Sequence, residues 1–161
     1  MISRPKMEDG RWKIDEKGSV VQEAAVSSLP IFNLQTTICR IMMKFEDLEA
    51  WRNARQLVRA IYQLTGDKAL GHDFGICGQI QRAAVSIMSN IAEGFERSHL
   101  QEKLQFYNTA RGSTGEVRSL LYVVDDNFPA TAQLAAALRN EAVSVGKLIS
   151  GLIRVTEERK R

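Results

Sequence analysis

Apolar residues recur at steps of three and four from Phe45 onward, which is the spacing of one buried face of a helix. Polar or glycine-containing segments interrupt this pattern three times, and no stretch between them alternates as a half-buried strand does. The pattern therefore predicts four helices, each with one apolar stripe. The predicted stripes are Trp51, Ala54, Val58, Ile61 and Leu64; Cys77, Ile80, Ala84, Ile87, Ile91 and Phe95; Phe106, Ala110, Ser113, Val117, Leu121 and Val124; and Leu134, Leu138, Ala142 (or Glu141), Val145, Leu148 or Ile149, and Leu152.

Residues with capping side chains predict where these helices begin and end. The first helix is predicted to end before Gly66, and Asp73 is positioned to cap the second. Ser98 is a predicted cap for the third helix, and Pro129 stands where the fourth can begin. Helices of roughly 20 to 30 residues with such short connections run antiparallel to their neighbours. The predicted fold is all-α: an up-down-up-down antiparallel four-helix bundle.

Residues 1–42 lack this periodicity and mix charges, glycines, prolines and short apolar patches. We predict that they form a poorly ordered extension ahead of a four-helix bundle domain spanning 43–161. An alternative is that translation begins at Met42 or Met43 instead of Met1, so that the upstream residues are a gene-calling artefact or a cloning addition. N-terminal mass spectrometry of protein made from the native gene distinguishes the two.

Composition narrows the class of protein. The length of 161 residues allows one domain plus a tail, and 44% apolar with 25% charged residues is ordinary for a globular protein. Lys and Arg outnumber Asp and Glu by 22 to 19, and the net charge of +3 gives a mild attraction to anions. Cys39 and Cys77 are too few for a disulfide framework or a cysteine zinc site. No apolar run approaches the roughly 20 residues that cross a bilayer, so we expect a cytoplasmic protein without a membrane partner.

Three ordered blocks of sequence carry a resemblance to a known family. They are FEDLEAW at 45–51, QIQRAAVSIMSNIAEGF at 79–95 and ARGSTGE at 110–116. They resemble the four-helix-bundle proteins encoded by intervening sequences of bacterial 23S ribosomal RNA genes, relatives of which are accessory proteins of diversity-generating retroelements. The resemblance covers about residues 44–155. It implies a homo-oligomer, commonly a pentamer, and partners that are RNA, DNA or a reverse transcriptase.

Two positions depart from the family pattern. Met88 stands where the family usually has proline, and Gly115 replaces a residue that is more often a good helix former. Neither departure affects the predicted fold, but both weaken any transfer of the family's fine interface geometry.

Arginines follow one edge of the first predicted helix. Arg52, Arg55 and Arg59 lie away from the apolar stripe and, repeated around a ring of subunits, would form a cationic surface that holds phosphate without reading base sequence. We therefore predict that they bind nucleic acid. The alternative is a solvated face with scattered ion pairs.

The second predicted helix has an ordered polar stripe opposite its apolar one. Its members are Arg82, Ser86, Ser89, Asn90, Glu93 and Arg97. The resemblance favours an interhelical or intersubunit polar network in which Asn90, Glu93 and Arg111 satisfy one another. The alternative is a solvated outer face on which Arg82 and Glu93 are bonded locally.

The third predicted helix carries a second apolar face. Leu100, Leu104 and Tyr107 form it, and Arg111 and Arg118 continue it. Because a single bundle needs only one stripe per helix, we predict that this face is buried against another subunit. The alternative is a broader core stripe in which Leu104 and Tyr107 cover the edge of the bundle.

Signals of catalysis are weak. His72 and His99 have no nucleophile or carboxylate at a spacing that makes a triad, and Glu96-x-x-His99 is half of a di-metal motif whose second half is missing. We expect no enzyme activity, no metal and no cofactor. The sequence favours a binding or scaffold module with a nucleic acid or reverse transcriptase as partner. A structural homo-oligomer or protein adaptor without nucleic-acid binding is the main alternative, and a metal-dependent bundle enzyme is a minor third.

Overall fold

The fold is described by a computed structural model for residues 7–8, 11–12 and 43–158. In the first part, strands β1 (Met7–Glu8) and β2 (Arg11–Trp12) pair antiparallel, with Met7 opposite Trp12. Apart from these four residues, the predicted disorder of 1–42 lies outside the described residues. The second part is all-α, as predicted. Its helices are α1 (Glu49–Leu64), α2 (Phe74–Glu96), α3 (Leu100–Asn127) and α4 (Ala132–Glu158), with short 3-10 helices at Phe45–Asp47, Leu70–His72 and Pro129–Thr131.

Helix ends follow the predicted caps at one place and depart from them at another. The Asp73 carboxylate accepts a hydrogen bond from the Ile76 amide at 3.0 Å, so the predicted cap of α2 is confirmed. The prediction for Ser98 is wrong: α3 begins at Leu100, and the cap position is His99, whose side chain makes no capping bond. The α2–α3 corner is stabilised instead by Lys103, whose ammonium donates to the Phe95 carbonyl at 2.6 Å.

Polar contacts between consecutive helices define their directions. Lys103, in the first turn of α3, bonds the last turn of α2, while Ser86 and Ser113 share a hydrogen bond of 2.9 Å further along the pair. The contact of Arg139 near the start of α4 with Asp125 near the end of α3 shows that this pair is also antiparallel. At the α1–α2 corner, Gln81 donates to the Thr65 hydroxyl at 2.7 Å. Because α1 also packs on α4, the four helices surround one core in chain order, alternating in direction.

The buried stripes differ from the predicted ones by about one residue at several positions. On α1, Ala50 and Leu57 are buried, whereas Trp51 and Val58 lie at the edge of the core. On α4, Leu134 is 45% exposed and Ala135 takes its place in the core. Ala50 and Ala135 are small and let the helix axes approach, so their larger neighbours Trp51 and Leu134 lie further outward. Further along α4, the two open choices are settled: Ala142 and Ile149 are the buried members.

Tyr107 lies in the core of its own chain and is only 2% exposed. The prediction that it forms an outer face against another subunit is therefore wrong. The ring fills space that Gly94 leaves open on α2, where an added Cβ would lie 2.5 Å from Tyr107 Cε1. Phe106, which the periodicity placed in the core, is half-buried instead, with the Arg97 guanidinium 4.8 Å from its ring centroid.

Replacing Gly94 with alanine tests this packing. The added methyl overlaps the Tyr107 ring, so Gly94→Ala should lower the free energy of unfolding by about 1 to 3 kcal/mol in urea denaturation. Gly112→Ala is the matched control, because its Cβ would meet nothing within 4 Å, and better helix propensity should raise stability by up to about 1 kcal/mol. Equal effects of the two changes would contradict the proposed contact.

Candidate nucleic-acid interface

The predicted nucleic-acid-binding arginines of α1 are all exposed, but their charge is partly compensated. Arg52 donates to the Glu46 carbonyl at 2.8 Å and forms an ion pair of 3.4 Å with Asp47. The Arg55 guanidinium lies 5.7 Å from the Trp51 ring centroid. Arg59 is exposed beside them. This α1 arginine row thus presents cations to solvent, with an acidic segment at one end.

The predicted polar network is not formed among the described residues of a single chain. The Asn90 amide donates to the Ser86 carbonyl at 2.7 Å, Glu93 pairs with Arg97 at 3.7 Å, and Arg111 donates to Asn108 at 3.0 Å. The hydrogen bond between Ser86 and Ser113 joins α2 and α3 instead. Arg82 is exposed on the outer face of α2. A network between subunits stays a prediction.

The outer face predicted on α3 is much reduced. With Tyr107 inside the core, the remaining apolar members are Leu100 and Leu104, which are half-buried, and Leu104 packs against the core. Arg111 and Arg118 are exposed. Leu104 packs against the core and Tyr107 lies within it, which agrees with a broader core stripe. Arg111 and Arg118 lie on a second surface, and their burial against another subunit stays a prediction.

That surface is a groove of about 640 Å³ between α3 and α4. Four cationic side chains line it, two from each helix, and it is named here the cationic groove. The helix register explains the arrangement, since residues 111, 115 and 118 share one face of α3, and 143, 147, 150 and 154 share one face of α4. The lining residues are Arg111, Thr114, Gly115, Arg118, Ala142, Val143, Gly146, Lys147, Ser150, Gly151 and Arg154.

Small residues keep the groove open. A Cβ added at Gly115 or Gly151 would meet nothing within 4 Å, so there is free space directly above the helix backbone at both positions. At Gly146 an added Cβ would lie 3.2 Å from the Thr114 hydroxyl, which marks the line along which the two helices touch. A ligand lying here can approach the backbone closely, because few side chains stand in its way.

The groove has one sign of charge. None of its lining residues is acidic, and within residues 43–158 none of its four cations forms an ion pair. Arg111 is held by Asn108, a neutral partner. A cleft lined by a single sign of charge concentrates its field and attracts anions, phosphates among them.

Sequence reasoning missed half of this site. The sequence pattern predicts an oligomer-interface role for Arg111 and Arg118 and indicates no role for Lys147 and Arg154. Their spacing of seven residues on α4, matching that between 111 and 118 on α3, is the signal that could have found them. This spacing indicates a shared site only if the faces of α3 and α4 that meet are known, and the sequence alone does not give those faces.

The described residues offer no assembled metal site, since no three of His, Cys, Asp and Glu among them are close enough to hold an ion. Cys77 is buried and donates to the Leu70 carbonyl at 3.3 Å. Burial raises the pKa of the Cys77 thiol, and the nearby Asp73 carboxylate raises it further. No helix in the described part of the chain is long and apolar enough to cross a membrane.

The raised pKa makes Cys77 a poor nucleophile. In a Cys39→Ser variant, alkylation of Cys77 by iodoacetamide at pH 8 should be slower than that of free cysteine, because less thiolate is present and the thiol is covered. Adding urea to unfold the chain should restore the ordinary rate. Reaction as fast as free cysteine in the folded protein would show that the thiol is accessible and ionised.

Comparison with known proteins is consistent with this bundle. A family model described as 23S rRNA-intervening sequence protein matches residues 46–151. The crystal structure of a protein of unknown function from the S23 ribosomal protein family of Bacteroides thetaiotaomicron aligns with a TM-score of 0.59 and 19% identity. The alignment covers 65% of this chain and 97% of that chain, and at this identity it shows the fold alone. No curated protein matches the sequence.

Proposed function

This chain belongs to the 23S rRNA-intervening sequence protein family, and from that premise we propose that it is a cytoplasmic, non-enzymatic scaffold that forms a homo-oligomer and binds nucleic acid through the cationic groove. The observation that carries the proposal is the set of four cations in that groove, with no acidic residue among the lining. Nucleic acid is the ligand class that presents closely and regularly spaced negative charges. A reverse transcriptase bound to the same nucleic acid is a further candidate partner.

Binding of this kind is electrostatic and independent of base sequence. Each phosphate that a Lys or Arg neutralises releases a counterion, so affinity falls as salt rises. The logarithm of the affinity falls linearly with the logarithm of the salt concentration, with a slope of about 0.7 per contact for a single strand and 0.9 for a duplex. Gly115, Gly146 and Gly151 place no side chain in the groove that could read base edges, which favours contacts to a sugar-phosphate backbone at these positions.

The α1 arginine row is proposed to contribute less to nucleic-acid binding than the cationic groove does. Asp47 neutralises part of the charge of Arg52, and Glu46 and Glu49 stand in the same first turns of the helical domain. An incoming phosphate must compete with these carboxylates, whereas no carboxylate lines the cationic groove.

Two matched triple variants separate these surfaces. One carries Arg118→Gln, Lys147→Gln and Arg154→Gln in the groove, and the other carries Arg52→Gln, Arg55→Gln and Arg59→Gln on α1. Each lowers the net charge from +3 to 0, so a general charge effect is the same in both. Binding of a fluorescein-labelled RNA or DNA oligomer, followed by anisotropy across a salt series, should weaken more in the groove variant. The slope of log affinity against log salt concentration should be smaller by about 2 in the groove variant than in the unaltered protein.

The outcomes of this experiment are distinct. Equal losses in the two variants would assign binding to overall charge and contradict a role for the groove. Binding that does not depend on salt, or no binding by the unaltered protein, would favour the structural oligomer or protein adaptor.

The homo-oligomer is the second part of the proposal, and the resemblance implies a pentamer. Exposed apolar side chains at one end of the bundle support association: Phe74 is 81% exposed, and Val123 and Leu134 are exposed at the same end.

Light scattering should give a multiple of the 18.1 kDa subunit, five for the pentamer. Phe74→Gln should weaken assembly at micromolar concentration, with Gln63→Ala as an exposed control on α1. A stable single chain at that concentration would contradict this part.

A further inference from the structure

Beyond the last cation of the cationic groove on α3, the same face of the helix carries an aromatic side chain. Tyr122 follows Arg118 by four residues, so it lies on the same face of α3 as Arg111, Gly115 and Arg118. On α4, Arg139 precedes Val143 and Lys147 on the corresponding face. From Arg111 to Tyr122 the face of α3 spans about 16 Å at 1.5 Å per residue. Tyr122 is 55% exposed, so much of its side chain is open to solvent.

The ring of Tyr122 is held in place by a stack with Arg139. The guanidinium carbon of Arg139 lies 4.3 Å from the ring centroid. Arg139 is itself fixed, because it forms an ion pair of 2.9 Å with Asp125 and donates to the Leu121 carbonyl at 3.3 Å. Its side chain is only 16% exposed. Tyr122 is therefore an exposed ring whose orientation is set before any ligand arrives, which reduces the entropy lost on binding.

We propose that the cationic groove binds a single strand of nucleic acid, with phosphates along its four cations and one base stacked on Tyr122. The inference rests on the proposed function and specifies which nucleic acid the same site takes. Proteins that bind single strands without sequence preference combine a positively charged groove with aromatic side chains on which bases stack. The cationic groove supplies the first part, and the Tyr122 ring, four residues beyond Arg118 on the same face of α3, supplies the second.

A duplex fits this surface poorly for a geometric reason. Its bases are stacked on one another inside the helix, so it offers phosphates to the cations but no free base face to Tyr122. Single strands should gain the stacking contribution, and duplexes should not.

The first test changes Tyr122. Tyr122→Leu should weaken binding of a labelled 12-nucleotide oligo-dT or oligo-U by about tenfold, the loss of one stacked base, while the slope against salt stays the same. Tyr122→Phe should bind as the unaltered protein does, because the ring is kept. Tyr62→Leu is the matched control, since Tyr62 is an exposed tyrosine of α1, whereas the cationic groove lies between α3 and α4. Affinity for a 12-base-pair duplex should be the same for all these proteins.

A second test leaves the protein unchanged and needs no variant to fold. A 12-unit abasic sugar-phosphate strand keeps every phosphate but lacks bases, so it should bind about tenfold more weakly than oligo-dT with the same dependence on salt. Circular dichroism and light scattering of each variant check that fold and assembly are retained.

Failure of this inference can be told apart from failure of the proposed function. If the groove triple variant loses binding but Tyr122→Leu and the abasic strand behave as their references do, stacking on Tyr122 is overturned and phosphate binding by the groove stands. Duplex binding as tight as single-strand binding also overturns it. If the groove triple variant binds normally, both proposals are overturned.

Discussion

The register of α3 against α4 is the constraint on which the candidate site depends. The partly buried ion pair of Arg139 with Asp125 and the close approach of Gly146 to Thr114 hold the two antiparallel helices at one relative position. That position brings two cations of each helix into a single groove. A shift of one residue would rotate each face by about 100° and place the cations on different surfaces of the bundle.

The same part of the molecule carries glycines that the fold of a single chain does not explain. Gly112, Gly115 and Gly151 lie inside long helices, where each costs about 1 kcal/mol relative to alanine, and an added Cβ would meet nothing at any of them. Gly94 differs, because it makes room for the Tyr107 ring. Gly94 thus serves the core, whereas Gly115 and Gly151 leave open space along the groove.

Errors in the buried stripes have a common origin. Periodicity identifies a helical face to within about one residue, and the neighbours that pack against it decide the rest. Tyr107 is buried in place of Phe106 because Gly94 on α2 leaves space for the Tyr107 ring. Ala135 is buried in place of Leu134 because small residues allow helices to approach. Ser98 fails as a cap because the chain reaches α3 one residue later, with Lys103 stabilising the corner.

The sequence by itself determined the number of helices, their approximate ends, the cap at Asp73 and the family, since these follow from local periodicity, capping chemistry and ordered blocks of residues. Only the tertiary structure decided which cations share a surface. Arg118 and Lys147 are 29 residues apart in the chain and line one groove because two helices pack antiparallel in a particular register. That register results from contacts between side chains distant in sequence, which no local pattern encodes.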